Sequence, residues 1–140
     1  RHADIGAELV RRGHSVTVIA SDFDYFTRQR TQLRDVDRAR NDGVRFVWLR
    51  TAGYVGNDRR RVSSMVQYAI SATWAGFRQR PSPEVIIGSS PQPLAPLAAD
   101  AVGRLRRVPW ILEARDIWPS ALVDLNAIAR NGLTHRILER

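Results

Sequence analysis

Apolar positions recur along this chain first with the period of a helix and then with that of a strand, and the alternation continues almost to its end. Ile5 and Leu9 lie one helical turn apart within residues 1–12, and Gly13 stands where a C-terminal cap belongs. Residues 15–20, Ser-Val-Thr-Val-Ile-Ala, are rich in β-branched side chains and predict a strand. From 21 to 43 the period dissolves into mixed Asp and Arg. That stretch predicts a long exposed connection, with a short helix over 32–39 and a turn at Asn41-Asp42-Gly43. Residues 44–49 predict the second strand and 51–61 a loop.

The second half repeats the alternation. Val62, Met65, Val66, Ala69 and Phe77 form a stripe at 3.6-residue spacing, predicting a helix over 62–77 that Pro81 and Pro83 stop. Val85-Ile86-Ile87 is wholly apolar and predicts a strand buried on both faces. Leu94, Leu97, Ala98, Ala101, Val102 and Leu105 predict the next helix, and Trp110-Ile111-Leu112 the next strand. A helix over 119–129 and a last one from Leu133 complete the pattern, with Gly132 between them. Helix and strand alternating at this spacing predict an α/β fold, a doubly wound Rossmann-like parallel sheet.

Composition narrows the class. At 140 residues with 44% hydrophobic positions the chain can bury a core. No apolar run approaches the roughly 20 residues that cross a bilayer. Cysteine is absent, which excludes disulfides and thiolate metal sites and makes the cytoplasm the expected home. Net charge is +8, yet all 22 basic residues are arginine. Selection for phosphate contacts would keep lysine as well, so this pattern points to GC-rich codon usage rather than to nucleic acid. The first residue is Arg within a helical pattern and the last helix has no stop signal. The chain therefore reads as a piece of a longer protein, truncated at both ends.

Chemistry gathers where strands hand over to helices, the edge at which open α/β sheets bind ligands. After the strand at 110–112 come Glu113, Arg115 and Asp116, then Trp118 and Pro119. Asp116 suits a general base or an acceptor for a hydroxyl; it could equally cap the helix at Pro119 or pair with Arg115. Ser89 and Ser90 end the strand at 85–87. They form a polar pocket suited to sugar or phosphate oxygens, unless Ser90 simply caps the following helix. His14 reads as a turn residue, and His2 and His135 take no role. No Gly-x-Gly-x-x-Gly, Walker or nucleophile-elbow motif occurs. An epimerase with a Tyr-x-x-x-Lys pair is excluded by the absence of lysine.

Four segments resemble one family. Gly13-His14-Ser15-Val16-Thr17-Val18 resembles the R-G-H-x-V-x-V signature of the N-terminal domain of family 4 glycosyltransferases of the GT-B fold. Val85 to Leu97 is similar to the V-I-G-S-S-P-H-P-L segment of a WbuB-like bacterial subset that builds surface polysaccharide. Glu113 to Pro119 is similar to its E-x-R-D-x-W-P, and Tyr54-Val55-Gly56-Asn57 to its Y-x-G-N loop. The resemblance implies that residues 1–140 are part of an acceptor-side domain, with the first strand, a Gly-rich loop and the C-terminal donor domain absent. It implies a retaining hexosyltransferase that moves a sugar from a nucleotide-diphosphate donor to a lipid-linked or other glycan acceptor. It needs no cofactor and works on the cytoplasmic side, peripheral to an anionic membrane. Asp116 is the expected catalytic residue; Ser89, Ser90, Gln92, Glu113, Arg115, Tyr54 and Asn57 are the expected cleft residues. Gln92 departs from the usual histidine of S-S-P-H-P. The piece alone is expected to be poorly stable and inactive. The alternative is a non-catalytic Arg-rich α/β module that binds nucleic acid or an acidic partner.

Overall fold

The computed structural model describes residues 2–24, 27, 29–30, 42–54, 59–90, 92 and 94–115. In chain order these form α1 (His2–Arg11), β1 (Thr17–Ser21), β2 (Arg45–Leu49), α2 (Arg59–Phe77), β3 (Ile86–Ser89), α3 (Ala95–Arg106) and β4 (Trp110–Glu113). The expected elements over 32–39, 119–129 and from Leu133 lie outside the described residues.

Helix α1 stops because Gly13 takes a left-handed backbone, φ +89°. The His14 N–H then donates to the Leu9 carbonyl at 3.0 Å and the Gly13 N–H to Val10 at 2.9 Å. Two carbonyls of the last turn are thereby satisfied, and the chain is turned into β1. Gly6 lets the helix settle on the sheet. A Cβ there would meet Val44 at 3.0 Å and Val16 at 3.4 Å.

Among the described residues the strands pair as two two-stranded sheets, β1 with β2 and β3 with β4, both parallel. β3, α3 and β4 form one βαβ unit, so the Rossmann-like α/β class stands. In the first pair, Arg45 N–H donates to Val16 O and Asp22 N–H to Leu49 O. Parallel ladders use alternate residues, so Val16, Val18, Ala20 and Asp22 face β2 while Thr17, Ile19 and Ser21 turn their backbone groups to the other edge. There the Tyr68 hydroxyl of α2 donates to the Ile19 carbonyl at 3.0 Å.

Two expectations about burial are corrected. The inward face of α2 is Ser64, Ala72 and Gly76, while Val62, Val66 and Phe77 of the expected stripe are exposed. On α3 the buried residues are Ala98, Ala99, Val102 and Gly103, with Leu97 and Leu105 outside. The physical reason is close approach. A Cβ on Gly76 would stand 3.0 Å from Val102, so the two helices meet through small side chains that leucines would hold apart. Among the described residues α3 covers one face of the β3–β4 sheet, and the expectation that the strand at 85–87 is buried on both faces is corrected as well, since Val85 and Ile87 are exposed. Gly88 abuts Ala99 and Pro96, whereas the register partners Ile87 and Ile111 are each 55% exposed. Helix α2 also starts earlier than predicted, so the three arginines 59–61 form its first turn rather than a loop.

Candidate functional site at the sheet rim

The C-terminal ends of β3 and β4 are tied into one polar rim. Ser90 N–H donates to the Glu113 carbonyl at 3.0 Å, extending the ladder by one step. The Ser90 hydroxyl accepts the Arg115 N–H at 2.8 Å, so the chain leaving β4 folds over the turn that leaves β3. Ser90 therefore does not cap α3. That helix has Leu94 at its N-cap with no side-chain cap, and Gln92 does the local work. The Gln92 amide oxygen accepts the Leu94 N–H at 2.8 Å, and its amide nitrogen donates to the Met65 carbonyl of α2 at 3.1 Å.

Ser89 and Glu113 are register partners, so their side chains stand on one face, opposite the face Gly88 turns to α3. The Ser89 hydroxyl is buried and has no hydrogen-bond partner. Natural interiors rarely leave a hydroxyl in that condition. Glu113 is held from a third element. Its Oε2 lies 2.8 Å from His2 Nε2, at the start of α1 and 111 residues away in sequence. Ser89, Ser90, Glu113 and Arg115 are thus brought together, and His2, given no role from sequence, joins them.

A second rim lies at the ends of β1 and β2. Asp22 is buried and takes the Thr51 N–H on Oδ1 at 3.0 Å; its Oδ2 is paired with Arg30. Arg30 also donates to the Thr51 carbonyl at 2.7 Å, and the Ser21 and Thr51 hydroxyls are bonded at 2.8 Å. The Phe23 ring packs against Tyr54 with centroids 5.1 Å apart. Sequence reasoning found Tyr54 and missed Asp22, Thr51 and Arg30. The available signal was position: Asp22 and Thr51 each follow the last residues of a β-branched or aromatic run. The expected catalytic Asp116 and the cleft residue Asn57 lie outside the described residues.

Helix α2 joins the rims. Gln67 accepts the Ala52 N–H just after β2 at 2.8 Å, two residues along from the carbonyl that receives Gln92. Hydroxyls, a carboxylate and an aromatic pair thus line one edge of the fold. Such a lining offers hydrogen-bonding groups beside an apolar face, the chemistry that suits a polyhydroxylated ring.

Residues 1–140 match a protein family described as a glycosyl transferase 4-like domain. Neither a curated protein nor a solved structure matches the chain.

Proposed function

Because the chain belongs to the glycosyl transferase 4-like family and is a glycosyltransferase domain, we propose that the rim around Ser89, Ser90, Glu113 and Arg115 is the acceptor wall of its cleft. In this reading residues 1–140 are part of the acceptor-side domain of a two-domain enzyme of the WbuB-like subset. A strand before Arg1 pairs between β1 and β3, and a donor-binding domain follows. The enzyme transfers a hexosyl group, with retention, from a nucleotide-diphosphate sugar to a lipid-linked glycan in cell-envelope polysaccharide synthesis. It requires no cofactor and works at the cytoplasmic face of the membrane. Asp116 is the catalytic carboxylate beside the acceptor hydroxyl; Gln92, Tyr54 and Asn57 complete the wall.

The observation that carries the reading is the convergence of three elements on one rim: the ends of β3 and β4, and the start of α1 through His2 and Glu113. A further feature supports a diphosphate on the acceptor. Arg59, Arg60 and Arg61 occupy the first turn of α2, which holds no acidic residue. Three cations in one turn form a basic surface of the charge that suits an anion. Family membership weighs against the non-catalytic module.

The test is transfer by the full-length enzyme from a panel of nucleotide-diphosphate sugars to a short-chain prenyl-diphosphate N-acetylglucosamine, read by mass spectrometry. A disaccharide product is expected with one donor, with kcat lowered at least 100-fold in Asp116→Asn. Residues 1–140 alone are expected to give none. No product with any donor, or full activity in Asp116→Asn, would remove the assignment.

A further inference from the structure

We infer that His2 is a positioning residue for acceptor binding, acting by fixing the carboxylate of Glu113 on the rim. The inference rests on the acceptor-wall reading above. It goes beyond that reading in assigning a role to the first turn of α1.

Glu113 is the last residue of β4, and its backbone is fixed by the Ser90 N–H. Its side chain leaves on the face that α3 does not cover, beside the partnerless buried hydroxyl of Ser89. A carboxylate at a strand end has its Cα fixed but turns about its side-chain torsions. Every torsion left loose must be ordered at the moment a ligand arrives, which lowers affinity. His2 removes that freedom. Its Nε2 at 2.8 Å holds Oε2, so the carboxylate is oriented before the acceptor binds. A carboxylate has about four lone-pair sites, enough to accept an acceptor hydroxyl beside the partners it already holds.

The pair has a second property that fits this role and not a purely structural one. It is half open: the imidazole is 42% exposed and the carboxylate 22%. Exposed ion pairs contribute little to folding. A contact that adds little stability yet joins residues 111 apart, at the rim where the sheet meets its ligand, is placed for preorganisation.

The charged groups around it agree. Arg115 is fixed through its own N–H to Ser90. Asp4, the acid in the first turn of α1, satisfies the positive end of that helix. His2 instead reaches across to the other sheet.

The test measures steady-state kinetics of the full-length transferase with the prenyl-diphosphate N-acetylglucosamine acceptor. For His2→Ala, acceptor KM is expected to rise about 5- to 10-fold, with donor KM and the melting temperature nearly unchanged. His2→Gln, whose amide can donate in the same direction, is expected to recover most of the loss. In a Glu113→Gln background, His2→Ala is expected to add less than twofold. In the wild-type protein, the His2 ring nitrogen resonances are expected to shift when this acceptor is added, a readout that needs no variant. An active enzyme whose acceptor KM is unchanged in His2→Ala overturns the inference, as does an equal rise in donor and acceptor KM. Silent His2 resonances on acceptor addition overturn it too. Absence of transfer in the wild type would instead be a failure of the acceptor-wall reading.

Discussion

Asp22 is the residue on which the β1–β2 rim turns. Its carboxylate accepts the Thr51 N–H and pairs with Arg30, which in turn holds the Thr51 carbonyl. Removing its charge leaves a buried amide facing a guanidinium that has lost its counter-ion. For Asp22→Asn, full-length enzyme should lose about 2 kcal/mol in a urea titration, with the slope unchanged. Arg30→Gln in that background should add little, because the two act as one unit. Neither residue was legible as a site in the sequence. Charge alternation over 21–43 looks like a solvated loop when side chains are read locally, and the partners lie 8 and 29 positions apart. The same limit hid His2. Ser90, Glu113 and Arg115 were legible as candidates, because strand ends are visible from composition and polar residues just beyond them stand out; the structure brings the three together.

Elements were easier to find than their orientation. All four strands and three of the helices lie where hydrophobic period placed them, within a few residues. The facing of α2 and α3 was misread because the largest apolar side chains were assumed to point inward. Two helices that approach closely leave room only for glycine, alanine and serine, and the large residues are displaced to the flanks. The same close approach sets a prediction on β3. A methyl group at Gly88 would stand 2.8 Å from the Ala99 Cβ and 3.0 Å from the Pro96 Cα. Backbone cannot swing aside as a flexible side chain can. Gly88→Ala is therefore expected to destabilise by about 1–3 kcal/mol, read as a lower urea midpoint. It should also raise the acceptor KM, since Ser89 and Ser90 are the next two residues.

For the whole molecule, the parallel class and the polar rim at the strand ends followed from helix and strand alternating along the chain. What could not follow was the amount of apolar surface left uncovered. Ile70, Trp74, Leu97 and Ile111 are each more than half exposed, and so is Ile87 on the open face of β3. A stretch of sequence states what can be buried, not what is present to bury it.

The phenol of Tyr68 gives the packing of α2 on β1 a measurable reporter. It sits on the backbone edge of β1 that β2 does not use, and burial raises its pKa above the ordinary value near 10. The folded chain keeps that proton in alkali where the unfolded chain gives it up. Stability from this group is thus complete below about pH 10 and drains away as pH climbs through the raised value. A phenolate cannot donate, so the same titration also breaks the bond from α2 to the Ile19 carbonyl. Ultraviolet absorbance should show a tyrosine that ionises late, with the urea midpoint falling in step with it. Tyr68→Phe should lack the late step.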